Sequence, residues 1–185
     1  MNDEDLMAAY ADGDRRAFAL LFQRWAPRLH GFFLRSLSEP AAADDLLQQT
    51  FLNIHRARRS FRPLSPLRGW LFGIAAHALH DELRRRKRAP LASESEQESV
   101  ALEAAADAPL PVEMQERAGA VRAALERLPE SQRAVLYLHR FEEMSFAEIA
   151  GVLGTSEGAI KLRAFRAYER LRGELLHLVQ EDDAA

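Results

Sequence analysis

Basic and aromatic side chains are concentrated in two segments of this 185-residue sequence. The first is an unbroken basic run over residues 84–88, which follows the aromatic residues Trp70 and Phe72. The second lies over residues 161–172 and contains Lys161, Arg163, Arg166, Arg170 and Arg172. Cationic groups bind phosphates, and aromatic rings stack on unpaired bases. The chemistry that these residues predict is therefore non-covalent binding of nucleic acid. Neither a nucleophile–base pair nor a phosphate-binding glycine loop is recognisable, so we do not expect an enzyme.

The second segment belongs to a pattern typical of a helix-turn-helix over residues 128–172. Ser145 and Glu148 have the spacing of a capping box, and Gly154 stands where the turn needs a left-handed backbone. On the last helix, one face is predicted to pack in the core: Ile160, Ala164, Ala167 and Leu171. The alternative is an ordinary helical hairpin with a solvated basic face.

The opposite half of that helix is predicted to be available to DNA. Arg166 can offer a planar fork to guanine, while Leu162 or Phe165 can contact a thymine methyl group. Alternatively, Phe165 packs back on the preceding helix.

The chain as a whole is predicted to be all-α, with two small helical domains joined by a flexible acidic linker. In the first half, helical patterns cover residues 4–15, 17–36, 40–58 and 67–88, and prolines interrupt residues 60–66. The predicted divisions are a first domain over 1–88, a linker over 89–114, a second domain over 115–180 and a tail over 181–185. The linker contains many acids and little apolar bulk.

Three interpretations in the first half have structural alternatives. The basic run can simply complement the dipole at a helix C-terminus. Trp70 can be a core residue. Phe61 lies in the proline-interrupted loop, where an aromatic ring has less reason to be buried, so we expect it to be exposed.

The overall charge does not fit a protein that binds DNA by phosphate neutralisation alone. The sequence has 25 Lys and Arg against 28 Asp and Glu, a net charge of −3. Tight DNA binding is therefore expected to require a partner. The absence of cysteine fits the reducing cytoplasm, and no stretch has the length of a membrane helix. Although His77 and His80 are one helical turn apart, we expect neither a metal site nor a cofactor.

Taken together, these motifs resemble a bacterial sigma factor of the extracytoplasmic-function class in the sigma-70 family. Residues 44–52 resemble the region-two helix that docks on the clamp of the polymerase beta-prime subunit. Residues 68–88 resemble the element that captures and melts the minus-ten promoter element. Residues 128–172 are similar to region four, which reads the minus-thirty-five element. The resemblance implies promoter DNA and core RNA polymerase (beta-prime clamp and beta flap) as partners, with control by an anti-sigma factor.

The resemblance also implies a role for individual residues. Polymerase binding is expected from six residues of one helix: Asp44, Asp45, Leu46, Gln48, Gln49 and Phe51. Minus-ten DNA binding is expected from Phe61, Arg62, Trp70, His77, Arg84, Arg85 and Lys87. Minus-thirty-five DNA binding is expected from Ser156, Gly158, Lys161, Leu162, Arg163, Phe165, Arg166 and Arg170.

The sequence departs from the family pattern where promoter bases are read. His77 stands where the family often has Asn, and Ala159 and Leu162 stand where Thr and Ser are common. The role of each helix therefore carries over, but a particular promoter sequence does not. The main rival is a stand-alone helix-turn-helix regulator, for which the sequence offers no dimerisation helix. A helical adaptor with no DNA role is a second rival, which leaves the recognition-helix pattern unexplained.

Overall fold

The structure is a computed structural model that describes residues 1–37, 39–62, 66–88 and 112–182, and the regular elements in these ranges are all helical. The first half contains α1 (Asp3–Ala11), α2 (Arg15–Leu37), α3 (Pro40–Ala57), a 3₁₀ turn (Arg58–Ser60) and α4 (Leu67–Arg88). The second half contains α5 (Val112–Glu126), α6 (Glu130–Arg140), α7 (Phe146–Leu153) and α8 (Glu157–Asp182). The prediction of an all-α fold is confirmed.

Local sequence signals set several helix boundaries. The Asn2 side chain accepts a hydrogen bond from the Asp5 amide and forms a capping box at the start of α1, while Pro40 occupies the first turn of α3. Pro129 forms the N-cap of α6, which begins one residue later at Glu130. Helix α5 begins at Val112, inside the predicted linker, and α8 continues into the predicted tail. The rest of that linker, residues 89–111, lies outside the described residues.

The core of the first half is aromatic. Phe32 and Phe33 on α2 and Phe72 on α4 are fully buried. The rings of Phe32 and Phe72 meet edge-to-face with centroids 5.7 Å apart, an arrangement that contributes beyond the apolar area it buries. These contacts fix α4, which carries most of the predicted minus-ten residues, against α2.

The two halves of the chain are packed together and share one hydrophobic core. Helix α6 lies against α2, and α7 lies against α4. At the first of these contacts, the Tyr137 ring lies 5.6 Å from that of Phe32. Helix α7, the support helix of the helix-turn-helix, therefore packs against α4, the helix that carries the basic run.

Candidate nucleic-acid interface

The turn between α7 and α8 has the geometry of a helix-turn-helix. Ser145 Oγ accepts a hydrogen bond from the Glu148 amide at 3.2 Å, and Glu148 Oε2 accepts one from the Ser145 amide at 2.8 Å. Gly154 ends α7 with φ 61° and ψ 41°, in the left-handed region where glycine carries no Cβ penalty. The capping box and the turn glycine predicted from the sequence are both confirmed.

Helix α8 presents an apolar pair to solvent. Ile160, Ala164 and Ala167 are buried, as predicted for the inward face. On the outer surface, Leu162 is 47% exposed and Phe165 is 62% exposed. The alternative in which Phe165 packs back on the preceding helix is therefore wrong. Both apolar side chains are accessible to a ligand.

The other residues predicted to bind the minus-thirty-five element lie around this pair. Exposed positions are Ser156, Gly158, Lys161, Arg166 and Arg170, whereas Arg163 is half-buried. Ser156 Oγ accepts a hydrogen bond from the Ala159 amide at 3.2 Å, so this hydroxyl also caps the start of α8. Lys161 forms an ion pair of 2.7 Å with Glu157 on the preceding turn. The exposed part of α8 is thus mixed in charge at its start and basic further along.

The predicted minus-ten residues on α4 form an exposed polar stripe: His77, Arg84, Arg85 and Lys87. The basic run is partly neutralised, because Arg85 pairs with Glu82 at 2.7 Å and Arg86 bridges Glu82 and Glu39. Burial would raise the pKa of Glu82, but hydrogen bonds and charge from Arg86 and Arg85 outweigh it and lower that pKa. Glu82 is thus held as an anion that orients two arginines along the helix.

The loop before α4 corrects one expectation. Phe61 is 9% exposed, and its ring meets that of Trp70 edge-to-face at 5.4 Å. The expectation that Phe61 is exposed is wrong, because the Trp70 ring covers it. Trp70 itself is half-buried, so it lies between the core position and the DNA-facing position considered above. Arg62 is exposed. The aromatic surface open to an unpaired base at this position is therefore the outer part of Trp70.

Helix α3 divides the predicted polymerase-binding residues into two sets. Asp44, Asp45, Gln48 and Gln49 are exposed along one face. Leu46 and Phe51 are 7% and 8% exposed, so they pack inside the first half and can only hold α3 in position. A direct contact of these two side chains with a partner is thus excluded in this arrangement.

A groove of about 590 Å³ between α3 and α4 brings residues from two of the predicted sites together. On the α3 side it is lined by Asp45, Gln49 and Asn53, and on the α4 side by His77, Asp81 and Arg85. Its lining is mainly polar and includes carboxylate, amide, imidazole and guanidinium groups. These groups suit hydrogen bonding to a polar ligand edge rather than apolar docking.

Comparison with known proteins places this geometry in a family. The family description "Sigma-70 region 2" matches residues 21–89, and "Sigma-70, region 4" matches residues 118–171. RNA polymerase sigma factor CarQ of Myxococcus xanthus is 38% identical over 92% of this chain and 95% of that protein. ECF RNA polymerase sigma factor SigM of Mycobacterium tuberculosis is also 38% identical, over 92% of this chain and 83% of its own length. The chain belongs to the sigma-70 family, in its extracytoplasmic-function class.

Two solved structures share the fold. CnrH in complex with the cytosolic domain of CnrY is 29% identical with a TM-score of 0.67, over 94% of this chain and 96% of CnrH. The sigma factor RpoE of Bartonella quintana, in complex with the anti-sigma factor NepR, is 27% identical with a TM-score of 0.68, over 85% of this chain and 96% of RpoE. The family consists of transcription initiation factors rather than of known enzymes.

Three further residues lie at the predicted binding surfaces but were not predicted from the sequence. Leu52 is 52% exposed and follows Gln48 by one turn of α3, so helical spacing alone would have added it to the exposed face. Phe22 on α2 is 44% exposed, and its ring lies 4.6 Å from that of Phe51. Only the fold brings Phe22 to this surface. Asp81, one turn after His77, lies within the matched residues 68–88 but was not assigned a role.

Two negative observations apply to the described part of the chain. Within it, no helix combines the length and apolar character needed to cross a bilayer. In the same residues, no group of three or more potential metal-ligating side chains comes together.

Proposed function

We propose that this chain directs bacterial core RNA polymerase to specific promoters through three surfaces. The exposed face of α3 (Asp44, Asp45, Gln48 and Gln49) binds the polymerase clamp. The polar stripe of α4 binds the unwound minus-ten strand, and the outer surface of α8 binds the minus-thirty-five duplex. All three functions are binding functions, so the chain makes and breaks no covalent bond. Its place of action is the cytoplasm.

The observation that carries this proposal is the different composition of the exposed faces of α3, α4 and α8. The α3 face presents two carboxylates and two amides. The carboxylates repel DNA phosphates, whereas a protein partner can bind such a face. The α4 stripe and the outer surface of α8 carry exposed arginines and lysines that can bind phosphates. A net charge of −3 then means that the grip on DNA comes largely from the polymerase.

Binding both promoter elements at once requires the two halves to separate. Elements centred about 25 base pairs apart lie roughly 85 Å apart along duplex DNA at 3.4 Å per base pair. A compact chain of this length has a radius of gyration of about 16 Å, and hence a diameter of roughly 40 Å. The packed arrangement of α2 with α6 and α4 with α7 is therefore the form that is not engaged with a promoter. The 23 residues 89–111 can span about 80 Å when fully extended.

The solved complexes support control by an anti-sigma factor. In their printed descriptions, CnrH is bound to the cytosolic domain of CnrY, and Bartonella RpoE is bound to the anti-sigma factor NepR. This chain shares their fold over most of its length. By analogy, an inhibitor holds this sigma factor in a form in which polymerase or promoter cannot bind.

The decisive experiment is transcription by a reconstituted holoenzyme on a promoter library. We expect specific transcripts with the unaltered chain and their loss with Asp45→Arg, since the substitution reverses charge on the exposed α3 face. Glu116→Arg is the matched control: it makes the same charge change at an exposed position of α5 and should leave transcription intact. Circular dichroism checks that both variants are folded.

The rival function, a stand-alone helix-turn-helix regulator, gives the opposite result. It requires sequence-specific DNA binding with equal affinity when polymerase is absent. An electrophoretic mobility shift with and without core polymerase separates the two functions. Specific binding that is unaffected by polymerase and by Asp45→Arg would overturn the sigma-factor proposal for this chain.

A further inference from the structure

Glu4 on α1 makes a hydrogen bond to the start of α4, far along the chain. Its Oε1 accepts from the Leu67 backbone amide at 2.9 Å, across a separation of 63 residues. The amides in the first turn of a helix have no acceptor within the helix, and the N-terminal end of the helix dipole favours negative charge. Pro66, which precedes α4, has no side-chain oxygen with which to cap the helix. Glu4 therefore acts as an N-cap that a different helix supplies.

Helix α1 is anchored on α2 by both polar and apolar contacts. Asp3 accepts hydrogen bonds from Arg24 at 2.7 Å and from the Trp25 ring nitrogen at 3.1 Å. Leu6 and Met7, on the next turn of α1, are fully buried. The Glu4 carboxylate is thus presented to α4 from a fixed support.

The start of α4 determines where aromatic surface is offered to a DNA strand. Trp70 lies one turn after Leu67, and its ring meets that of Phe61 at 5.4 Å. Helix α1 contacts both the 3₁₀ turn that precedes Phe61 and α4 itself. Fraying of the first turn of α4 would therefore move the Trp70 ring away from Phe61. An unpaired base would then lose a fixed ring on which to stack.

We propose that Glu4 is a positioning residue for the minus-ten surface, because its cap on α4 holds Trp70 in place for an unwound strand. This inference rests on the proposed function, since it assigns a task to that surface. Glu4 acts through Leu67 and needs no contact with DNA. A side-chain N-cap shifts the balance between a held and a frayed first turn roughly two- to thirty-fold. Affinity for the strand falls with the fraction of molecules in the held form.

Amide hydrogen exchange of the free chain, measured by NMR, tests the cap without DNA. In Glu4→Ala the Leu67 amide loses its acceptor, so we expect it to exchange at least about threefold faster than in the parent. The Leu71 amide lies one turn further into α4, where it bonds within the helix, and its exchange rate should not change. Unchanged exchange at Leu67 would overturn the cap. Equal acceleration at both amides would mean a general loss of helix stability and would overturn it as well.

Binding of single-stranded DNA by the holoenzyme tests the positioning role. The probe is an oligonucleotide with the non-template minus-ten sequence of a promoter selected from the library. Its affinity should fall at least about threefold in Glu4→Ala, while the affinity of the chain for core polymerase stays the same. Glu4→Gln keeps an acceptor oxygen and loses only the charge, so it should retain most of the oligonucleotide affinity. Asp12→Ala is the matched control, because it removes an exposed acid at the other end of α1 and should change neither affinity.

Three results would overturn the positioning role. The first is a loss of core-polymerase affinity in Glu4→Ala that equals the loss of oligonucleotide affinity, since Glu4 would then support only folding. The second is an equal loss in Asp12→Ala, which would assign the effect to net charge. The third is faster exchange at Leu67 with unchanged oligonucleotide affinity. If the unaltered chain gives no specific transcripts, the proposed function fails; if it gives them and Glu4→Ala binds the strand as the parent does, only this inference fails.

Discussion

Arg28 on α2 and Glu142, just beyond α6, join the two halves of the chain through a charged hydrogen-bonded pair. The Arg28 guanidinium donates to Glu142 Oε2 through both Nε, at 3.1 Å, and a terminal nitrogen. The Glu142 side chain is only 3% exposed, whereas that of Arg28 is 41% exposed. The Tyr137 hydroxyl donates to the backbone oxygen of Arg28 at 2.9 Å, and Arg68 donates to that of Glu142 at 2.8 Å. These bonds cross the surface between the two halves, which we propose separates when the chain binds a promoter.

Removing Arg28 should loosen this contact. Arg28→Ala leaves the Glu142 carboxylate buried without its cation, at a cost of about 1–3 kcal/mol, less than for a fully buried pair because water reaches Arg28. Separation of the halves hydrates Glu142, so we expect small-angle X-ray scattering to show a larger radius of gyration.

Arg16→Ala serves as the control, since it removes an exposed arginine from the same helix. If Arg28→Ala and Arg16→Ala scatter alike, the pair does not hold the halves together. Arg28→Ala should also lower the concentration of the chain that saturates core polymerase, because separating its two halves then requires less free energy.

Gly31 on α2 permits the close approach of Tyr137. A Cβ added at Gly31 would lie 3.1 Å from the Tyr137 hydroxyl and 3.1 Å from a terminal nitrogen of Arg35. The arginine can move, but the hydroxyl is fixed by its bond to Arg28. Gly31→Ala should therefore not give the stabilisation of about 1 kcal/mol that alanine normally brings to a helix interior.

Tyr137→Phe provides the matched background for this test. It deletes the oxygen that the new Cβ would meet, at the cost of one buried hydrogen bond of about 1 kcal/mol. In that background Gly31→Ala should become stabilising when urea unfolding is measured. Equal effects of Gly31→Ala in both backgrounds would show that the hydroxyl does not limit the approach.

The buried position of Phe61 predicts that its side chain contributes to stability. Because Phe61 is covered by Trp70, Phe61→Ala should lower the free energy of unfolding by about 2–4 kcal/mol. Arg62→Ala, at the exposed neighbouring position, should change it by less than about 0.5 kcal/mol. Urea unfolding of the two variants measures the difference. A small loss of unfolding free energy for Phe61→Ala would mean that the ring is exposed to solvent.

The sequence predicted local features better than contacts between distant residues. Helical spacing and the proline-interrupted loop placed α4 over Leu67–Arg88, and the S-x-x-E pattern placed the capping box of α7. Leu46 and Phe51 were expected at the polymerase surface, but both are buried. Their helical spacing was the better guide to their position. The packing of α6 on α2 was not predicted, because Arg28 and Glu142 are 114 residues apart and their interaction leaves no local periodicity.

Glu148 makes the stability of the helix-turn-helix depend on pH. Hydrogen bonds from the Ser145 backbone and side chain, with further help from Arg68, lower the pKa of Glu148 against a small opposing effect of burial. Since the folded pKa is depressed, its stabilisation is fully present above the unfolded value of about 4.3 and is lost as the pH falls through the folded value. Acid should therefore weaken both the cap of α7 and the link to Arg68, which lies 2.7 Å away.

Glu148→Gln isolates this effect, because the amide keeps an acceptor but does not titrate. We expect it to be less stable than the parent by about 0.5–1 kcal/mol near neutral pH, with the difference vanishing once the pH has fallen below the depressed pKa of Glu148. Urea unfolding at several pH values measures this. A difference that stays constant with pH would mean that the carboxylate charge contributes nothing.

Phe165 and Ile160 occupy opposite faces of α8 and should respond differently to truncation. Ile160 is fully buried, so Ile160→Ala should cost about 2–5 kcal/mol of stability and reduce DNA binding only through unfolding. Phe165→Ala removes a mostly exposed ring and should change stability by less than about 0.5 kcal/mol.

Holoenzyme binding to a promoter should nevertheless weaken several-fold in Phe165→Ala, because the ring no longer contacts a thymine methyl group. Uracil lacks only the methyl group of thymine. Replacing that thymine by uracil should weaken promoter binding by the parent and leave binding by Phe165→Ala unchanged. An equal loss of affinity in both proteins would assign the methyl contact to Leu162 instead.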